Sequence, residues 1–318
     1  MRRTSPPLIA TVFLALVSSL GAQTVTLKPG DTGLKVEIDG KLFTEYHTKD
    51  VPRPFLYPII GGAGENVVRN FPMVQDVAGE AKDHKHHRGL WFAHGSVNDM
   101  DFWSEEKDFG RQEHVQFSEV NATGNKGSFV ADTKWVAPNG KVQLTDSRKI
   151  TVTALPEGEK YIDFDITLKA TEGEVIFGDT KEGTMAIRLS SGLSLKGEGA
   201  AGRAYNSGTD KNKDVWGKRA PWVAYYGPDP KGNVVGVVMF EHTKNFRAPT
   251  WWHARDYGLF AANPFGIHDF EAKKDEKHLG DHKLAKGESL TLRYRFYFSK
   301  GKPTPTPLAA KFTEYSAQ

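Results

Sequence analysis

Apolar and polar residues alternate along much of this chain. The run Ile162-Asp163-Phe164-Asp165-Ile166-Thr167-Leu168-Lys169 puts its apolar side chains on one side, the period of a half-buried strand. Leu290 to Phe298 repeats the pattern, with Leu290, Leu292, Tyr294, Phe296 and Phe298 on one face. Lys149 to Thr153, Glu174 to Phe177, Met185 to Leu189 and Val234 to Phe240 are shorter runs with strand character. Pro138-Asn139-Gly140, Pro156-Glu157-Gly158 and Gly227-Pro228-Asp229-Pro230 supply turn chemistry between them. A helical period appears only at Pro307 to Ala317, where a short terminal helix is expected. The pattern predicts an all-β chain folded as a large antiparallel β-sandwich. No repeat, low-complexity linker or break in composition divides it, so residues 23–318 are expected to form one domain.

Two stretches interrupt the rhythm. Phe71 to Arg88 is dense in ionisable and aromatic residues, and Lys196 to Trp216 is rich in Gly, Lys, Asn and Asp. Long loops in compact domains are commonly functional. The first is expected to carry function and the second to form a mobile rim or lid.

The first 22 residues read as a secretory signal peptide. Arg2 and Arg3 precede an apolar run from Leu8 to Leu20, with small residues for cleavage near Gly21 and Ala22. That run is too short to span a bilayer, so no membrane insertion is expected after cleavage, and the protein is expected to be secreted or periplasmic. Without Arg2 and Arg3, 40 basic residues face 39 acidic ones, a balance that argues against nucleic acid as a partner. There is no cysteine, which excludes disulfides, thiolate metal sites and a cysteine nucleophile.

Chemistry concentrates in three segments. Asp83 to Gly95 holds His84, His86, His87 and His94 with Arg88 and Trp91. Histidine exchanges protons near neutral pH and is the commonest metal ligand. On a strand His84 and His86 would share a face, and with His94 as a third ligand they would hold a divalent metal, the one cofactor this set suggests. In the metal-free reading His86 or His87 is a general acid/base oriented by Asp83 or Asp101. Asp101 lies among Trp91, Phe92, Phe102 and Trp103, where a carboxylate loses solvent and becomes a better base unless a cation pairs with it. A hydrogen-bonded structural loop and a turn-capping Asp101 are the plain alternatives.

The second segment, Asp179 to Arg188, places Glu182 at a turn between two strands, either projecting into a cleft or forming a solvated pair with Lys181. The third, Trp251 to Gly258, contains Trp252, His253, Arg255 and Asp256. Trp91, Trp103, Trp251 and Trp252 are either a stacking platform for sugar rings or core aromatics. Serine-hydrolase, P-loop and H-E-x-x-H signatures are absent, and Gly61 to Gly64 does not complete a dinucleotide fingerprint.

These segments also carry a resemblance. Tyr57-Pro58, Asp83-His84, His86 through Trp91, Val97-Asn98, Asp101-Phe102-Trp103, Gly178 through Gly183, Trp251 through Phe260 and Asn263 through Gly266 resemble the PmoA-like family of unknown function, which goes by the name "methane oxygenase PmoA". The likeness spans about residues 30 to 300. A membrane methane oxygenase subunit needs several spanning helices, which this chain lacks. The family resemblance implies a secreted protein of polysaccharide use, and size and β content are similar to the galactose-mutarotase-like supersandwich.

The first reading is a secreted carbohydrate-active enzyme acting on a small-molecule or oligosaccharide substrate as an epimerase, lyase or hydrolase. His86, His87 and His253 move protons; Asp101, Glu182 or Asp256 serves as base or orienter; Arg88 and Arg255 stabilise an oxyanion or carboxylate. The alternatives are a metal-dependent oxygenase or hydrolase using the histidine cluster, and a non-catalytic glycan-binding protein.

Overall fold

The computed structural model describes residue 1 and residues 23–318; the expected signal peptide therefore lies, apart from Met1, outside the described residues. Strands β1 (Val25–Pro29), β2 (Gly33–Ile38), β3 (Lys41–His47), β4 (Phe55–Tyr57) and β5 (Leu90–His94) pair in chain order. A meander of long strands follows: β6 (Arg111–Thr123), β7 (Lys126–Val136), β8 (Val142–Ala154) and β9 (Lys160–Lys169). After β10 (Val175–Phe177), strand β11 (Gly183–Arg188) returns to pair with β5. The chain crosses again to β12 (Arg203–Asn206), β13 (Trp222–Pro228) and β14 (Val234–Glu241), then back to β15 (Trp251–Ala254) and β16 (Leu259–Asn263). The short helix α1 (Ile267–Phe270), β17 (His282–Leu284), β18 (Ser289–Lys300) and helix α2 (Pro305–Ser316) complete it.

The result is two eight-stranded antiparallel sheets, in the orders β1-β2-β3-β4-β5-β11-β16-β15 and β12-β13-β14-β18-β9-β8-β7-β6, and a β10-β17 ribbon. The expected all-β antiparallel sandwich is the fold observed. Its core lies between the sheets. Val36, Leu90, Phe92, Met185, Ile187 and Phe260 from the first sheet meet Ile150, Ile162, Phe164, Met239, Leu292 and Phe296 from the second. The alternating runs supply this face: Ile162, Phe164, Ile166 and Leu168 in β9, and Leu292, Tyr294, Phe296 and Phe298 in β18, are all buried. Helix α2 covers the outer side of the second sheet, where Leu308 and Tyr315 pack with Trp222, Phe240 and Tyr297. Among the described residues no helix is long and apolar enough to cross a membrane.

The stretch Lys196 to Trp216, expected as a mobile rim or lid, also contains regular structure: residues Arg203–Asn206 form an edge strand paired with Val223–Tyr226, and Asn212–Val215 form a 3₁₀ turn. Four residues with one aliphatic side chain are too short to show a period. The pairing comes from the neighbouring strand.

Candidate functional site

The outer face of the first sheet is where the three segments meet. Cross-strand register sets Trp91 beside Ala186, Ala186 beside Ala261 and Ala261 beside His253. At about 4.8 Å per strand this row runs roughly 14 Å. One step along the strands, Arg188 pairs with Leu259. Phe55, Trp91, Ala93, Trp103, Ala186, Leu259 and Ala261 make a second apolar cluster on this face, roofed by the loops after β4 and before β6. Both faces of β5 are therefore buried, and Leu90 to His94 shows no alternation.

The roof is tied by Arg69. Its guanidinium donates to the carbonyls of Phe71, Ala81, Asp83, His84 and His87 and pairs with the Asp83 carboxylate. Arg188, buried at the end of β11, donates through Nη2 to Asp83 Oδ1 (2.8 Å) and through Nη1 to His87 Nδ1 (3.0 Å). Arginine has no acceptor, so His87 carries its proton on Nε2, which is buried without a partner. Residues 81–88 lie in a turn, with His87 N donating to His84 O, so the strand arrangement that would put His84 and His86 on one face does not occur.

Burial separates the histidines. His84 is 41% exposed, and its Nδ1 lies 2.8 Å from Asp83 Oδ2. Its ring stacks on Tyr257 (5.1 Å, 10°) and on His87 (4.8 Å, 5°). Burial, with the charges of Arg53 and His84, pulls the His86 pKa down to about 4. Burial, with His86 and Arg188, lowers His87 well below the usual histidine range. Both are therefore neutral and enclosed at pH 7. For Asp83, burial alone would raise the pKa, but His84, Arg188 and Arg69 outweigh it and hold the carboxylate ionised far into acid.

Tyr257 forms the floor under His84. The Arg188 and Arg255 guanidinium carbons sit 4.7 and 5.4 Å from its ring centroid. Burial raises the Tyr257 phenol against the opposing pull of Arg255 and Arg188, so it is a proton-bearing donor at neutral pH. Among the described residues no carboxylate lies within salt-bridge reach of Arg255. Arg69, Asp83, Arg188, Ser194, Asp256 and Tyr257 help to line a cleft of about 280 Å³ at this point.

Other expected site residues have different employment. Arg88 is held bidentate by Glu105 (2.8 and 2.6 Å), so it offers no free guanidinium to a substrate. Asp101 caps a turn, accepting from Trp103 N (2.7 Å), Ser104 N (3.0 Å) and the Ser104 hydroxyl, and it does not line the cleft. Glu182 sits on the rim, 3.3 Å from Lys181, close enough to add to the rise of Tyr257. Asp256 lines the cleft and pairs with Lys213 at 3.4 Å. His253 is buried on the outer face, with its pKa lowered to about 3 by burial and then by Arg255.

His94 is not with His84 and His86. Its Nε2 meets the Gly178 carbonyl at 2.8 Å and its ring packs on Phe265 and Phe177. Among the described residues no three His, Asp or Glu side chains converge as metal donors. The four tryptophans are not an exposed platform either: Trp91, Trp103, Trp251 and Trp252 are at most 4% exposed. Trp252 lies in the core and donates to the Ala220 carbonyl, while Arg219 covers Trp251 at 4.4 Å. Tyr257, beside the cleft, is half-buried, with His84 stacked on its ring. Sequence reasoning missed Arg69, gave Tyr257 and Arg188 no role of their own within the segments it singled out, and named His84 first as a metal ligand. The one signal was the Asp83-His84 adjacency, which a turn converts into a contact.

Three solved structures are similar at low score. A polysaccharide lyase aligns at 11% identity over 89% of this chain, with a TM-score of 0.32; the chain spans 33% of that protein's length. A galactose mutarotase related enzyme from Lactobacillus acidophilus aligns at 12% identity over 88% of this chain and 99% of its own (TM-score 0.29). A GalM/aldose epimerase homologue from C. elegans aligns at 9% identity over 88% and 100% (TM-score 0.31). No curated protein matches the sequence. Residues 33–313 match the model of one family, and the chain accordingly belongs to DUF6807, a family of unknown function.

Proposed function

We propose that this protein is an exported carbohydrate-active enzyme that moves protons at a sugar ring, with His84 as the acid/base. The observation that carries the reading is the Asp83–His84 pair, 2.8 Å apart, in which Asp83 lines the cleft with Tyr257 and the exposed imidazole stacks on Tyr257. Asp83, kept anionic by two arginines, holds the proton on Nδ1 and leaves Nε2 to take or return one. Tyr257 supplies a neutral phenol as the complementary donor. Arg255, free of a carboxylate partner, takes the negative charge of a substrate carboxylate or developing oxyanion. Export rests on the leader-like residues 1–22 alone.

This arrangement favours epimerisation or elimination over glycoside hydrolysis. Hydrolysis usually employs two carboxyl groups facing each other across the bond. Here Asp83 is bound by two arginines, Asp101 by a turn, and Asp256 by Lys213. A histidine and a tyrosine remain for the proton steps.

The test is turnover by purified protein on uronate-containing and neutral sugars, followed by NMR for inverted centres or new double bonds. His84→Gln is expected to lower kcat by about 10²–10⁴-fold, the usual worth of a general acid/base. His86→Gln, altering a buried neutral ring, is expected to cost far less. Undiminished turnover by His84→Gln would overturn the assignment. Glycan binding by wild type and His84→Gln alike, with no conversion by either, would instead identify a binding protein.

A further inference from the structure

The cleft at Tyr257 shares lining residues with two further depressions. Asp256 lines both it and a hollow of about 160 Å³ that Trp216 lines with Lys213 and Arg255. Ser191 lines both the cleft and a trough of about 510 Å³ that includes Asn66, Asn70, Ser190 and Asp229. The cleft alone, at about 280 Å³, falls just below the range of roughly 300–1,000 Å³ typical of a whole ligand site. The trough beside it is larger than the cleft itself.

The walls suit hydroxyl-rich guests: serines at 190, 191 and 194, asparagines at 66 and 70, and a half-buried indole at 216.

We infer that these adjoining depressions bind a chain of sugar residues, with the reacting residue in the cleft beside Asp83 and Tyr257, one neighbour against Trp216 and the other beyond Ser191. The inference rests on the acid–base reading for which residue reacts, but not for the length of the ligand. Charge sets a direction. At the Trp216 end Lys213 is paired with Asp256, which leaves Arg255 as the cation without a carboxylate partner among the described residues. Glu80 and Asp229 instead line the trough with Glu65, which is paired with Lys231. An acidic residue is expected toward Trp216 and neutral residues toward the trough.

The experiment is calorimetric binding to the His84→Gln protein, using galacturonate oligomers and neutral gluco-oligomers from monomer to pentamer, with wild-type turnover measured on the same series. Affinity is expected to rise at least about tenfold from monomer to tetramer, and Trp216→Ala is expected to remove much of that gain. Ser191→Trp, which plugs the joint, is expected to remove the gain on the trough side. The length series on unsubstituted protein stands if either variant misfolds. Equal affinity and equal turnover for monomer and tetramer would overturn the inference while leaving the acid–base reading intact. Length-dependent binding without conversion would support the chain ligand and remove the enzyme. Failure of every oligomer to bind would overturn the inference.

Discussion

His84 and His86 stand two positions apart with the same side chain, and burial gives them different chemistry. His84 keeps solvent and a carboxylate neighbour, while His86 is enclosed with its pKa near 4. The same physics governs stability. Folded-state pKa values of about 4 for His86 and His94 and about 3 for His253, against 6.5 in the unfolded chain, mean the folded protein binds fewer protons. Stability from these groups is full above about pH 6.5 and is lost as pH falls toward 4. Glu241 works in the other direction. Burial lifts its pKa from 4.5 to about 8, with Oε2 accepting from Thr250 N and Oε1 unpartnered, so its contribution is full below about pH 4.5 and is lost as pH rises through 8. Glu241→Gln, neutral at every pH, is therefore expected to raise Tm by several degrees at about pH 9 and to change it little at about pH 4. Melting curves at the two pH values check this; an equal shift at both would show that ionisation is not the cause. None of these pKa values is legible in the sequence, because each depends on which segments cover the residue.

At the scale of elements, strands with one buried and one solvated face were the legible ones. Strands β9 and β18 declare themselves by alternation, and the turns at Asn139-Gly140 and Glu157-Gly158 mark the joints between long strands. Strand β5 and the edge strand β12 do not, the first because both faces are buried and the second because it is four residues long. The loop motif at Gly178 to Gly183 also serves the framework more than the site. Asp179 accepts from His268 N and Gly280 N, while its own N–H reaches Asp281 Oδ1, tying the segment between β16 and β17 to the β10–β11 connection. Charged hydrogen bonds of this kind contribute roughly 1.5–3 kcal/mol each. Asp179→Ala is expected to lower Tm and to speed amide exchange across residues 266–281, leaving strands β7 to β9 protected. Uniform exchange in all segments would contradict a local role.

For the whole molecule, a two-sheet sandwich was readable from periodicity, and three distant segments stood out by their residue types. Their arrangement was not readable, because it is fixed by cross-strand register and by Arg69 and Arg188 gathering the 81–88 turn onto Asp83. The four tryptophans expected to meet sugar are buried, and Tyr257 lines the cleft beside Asp83. The most direct test of the central claim is a crystal structure of His84→Gln protein soaked with an oligosaccharide that the wild type converts. The account predicts a sugar ring in the cleft beside Tyr257, with an oxygen or reacting carbon about 3 Å from the amide at position 84, within hydrogen-bonding reach. A sugar seated away from Tyr257, with residue 84 out of reach of every ring atom, would contradict it.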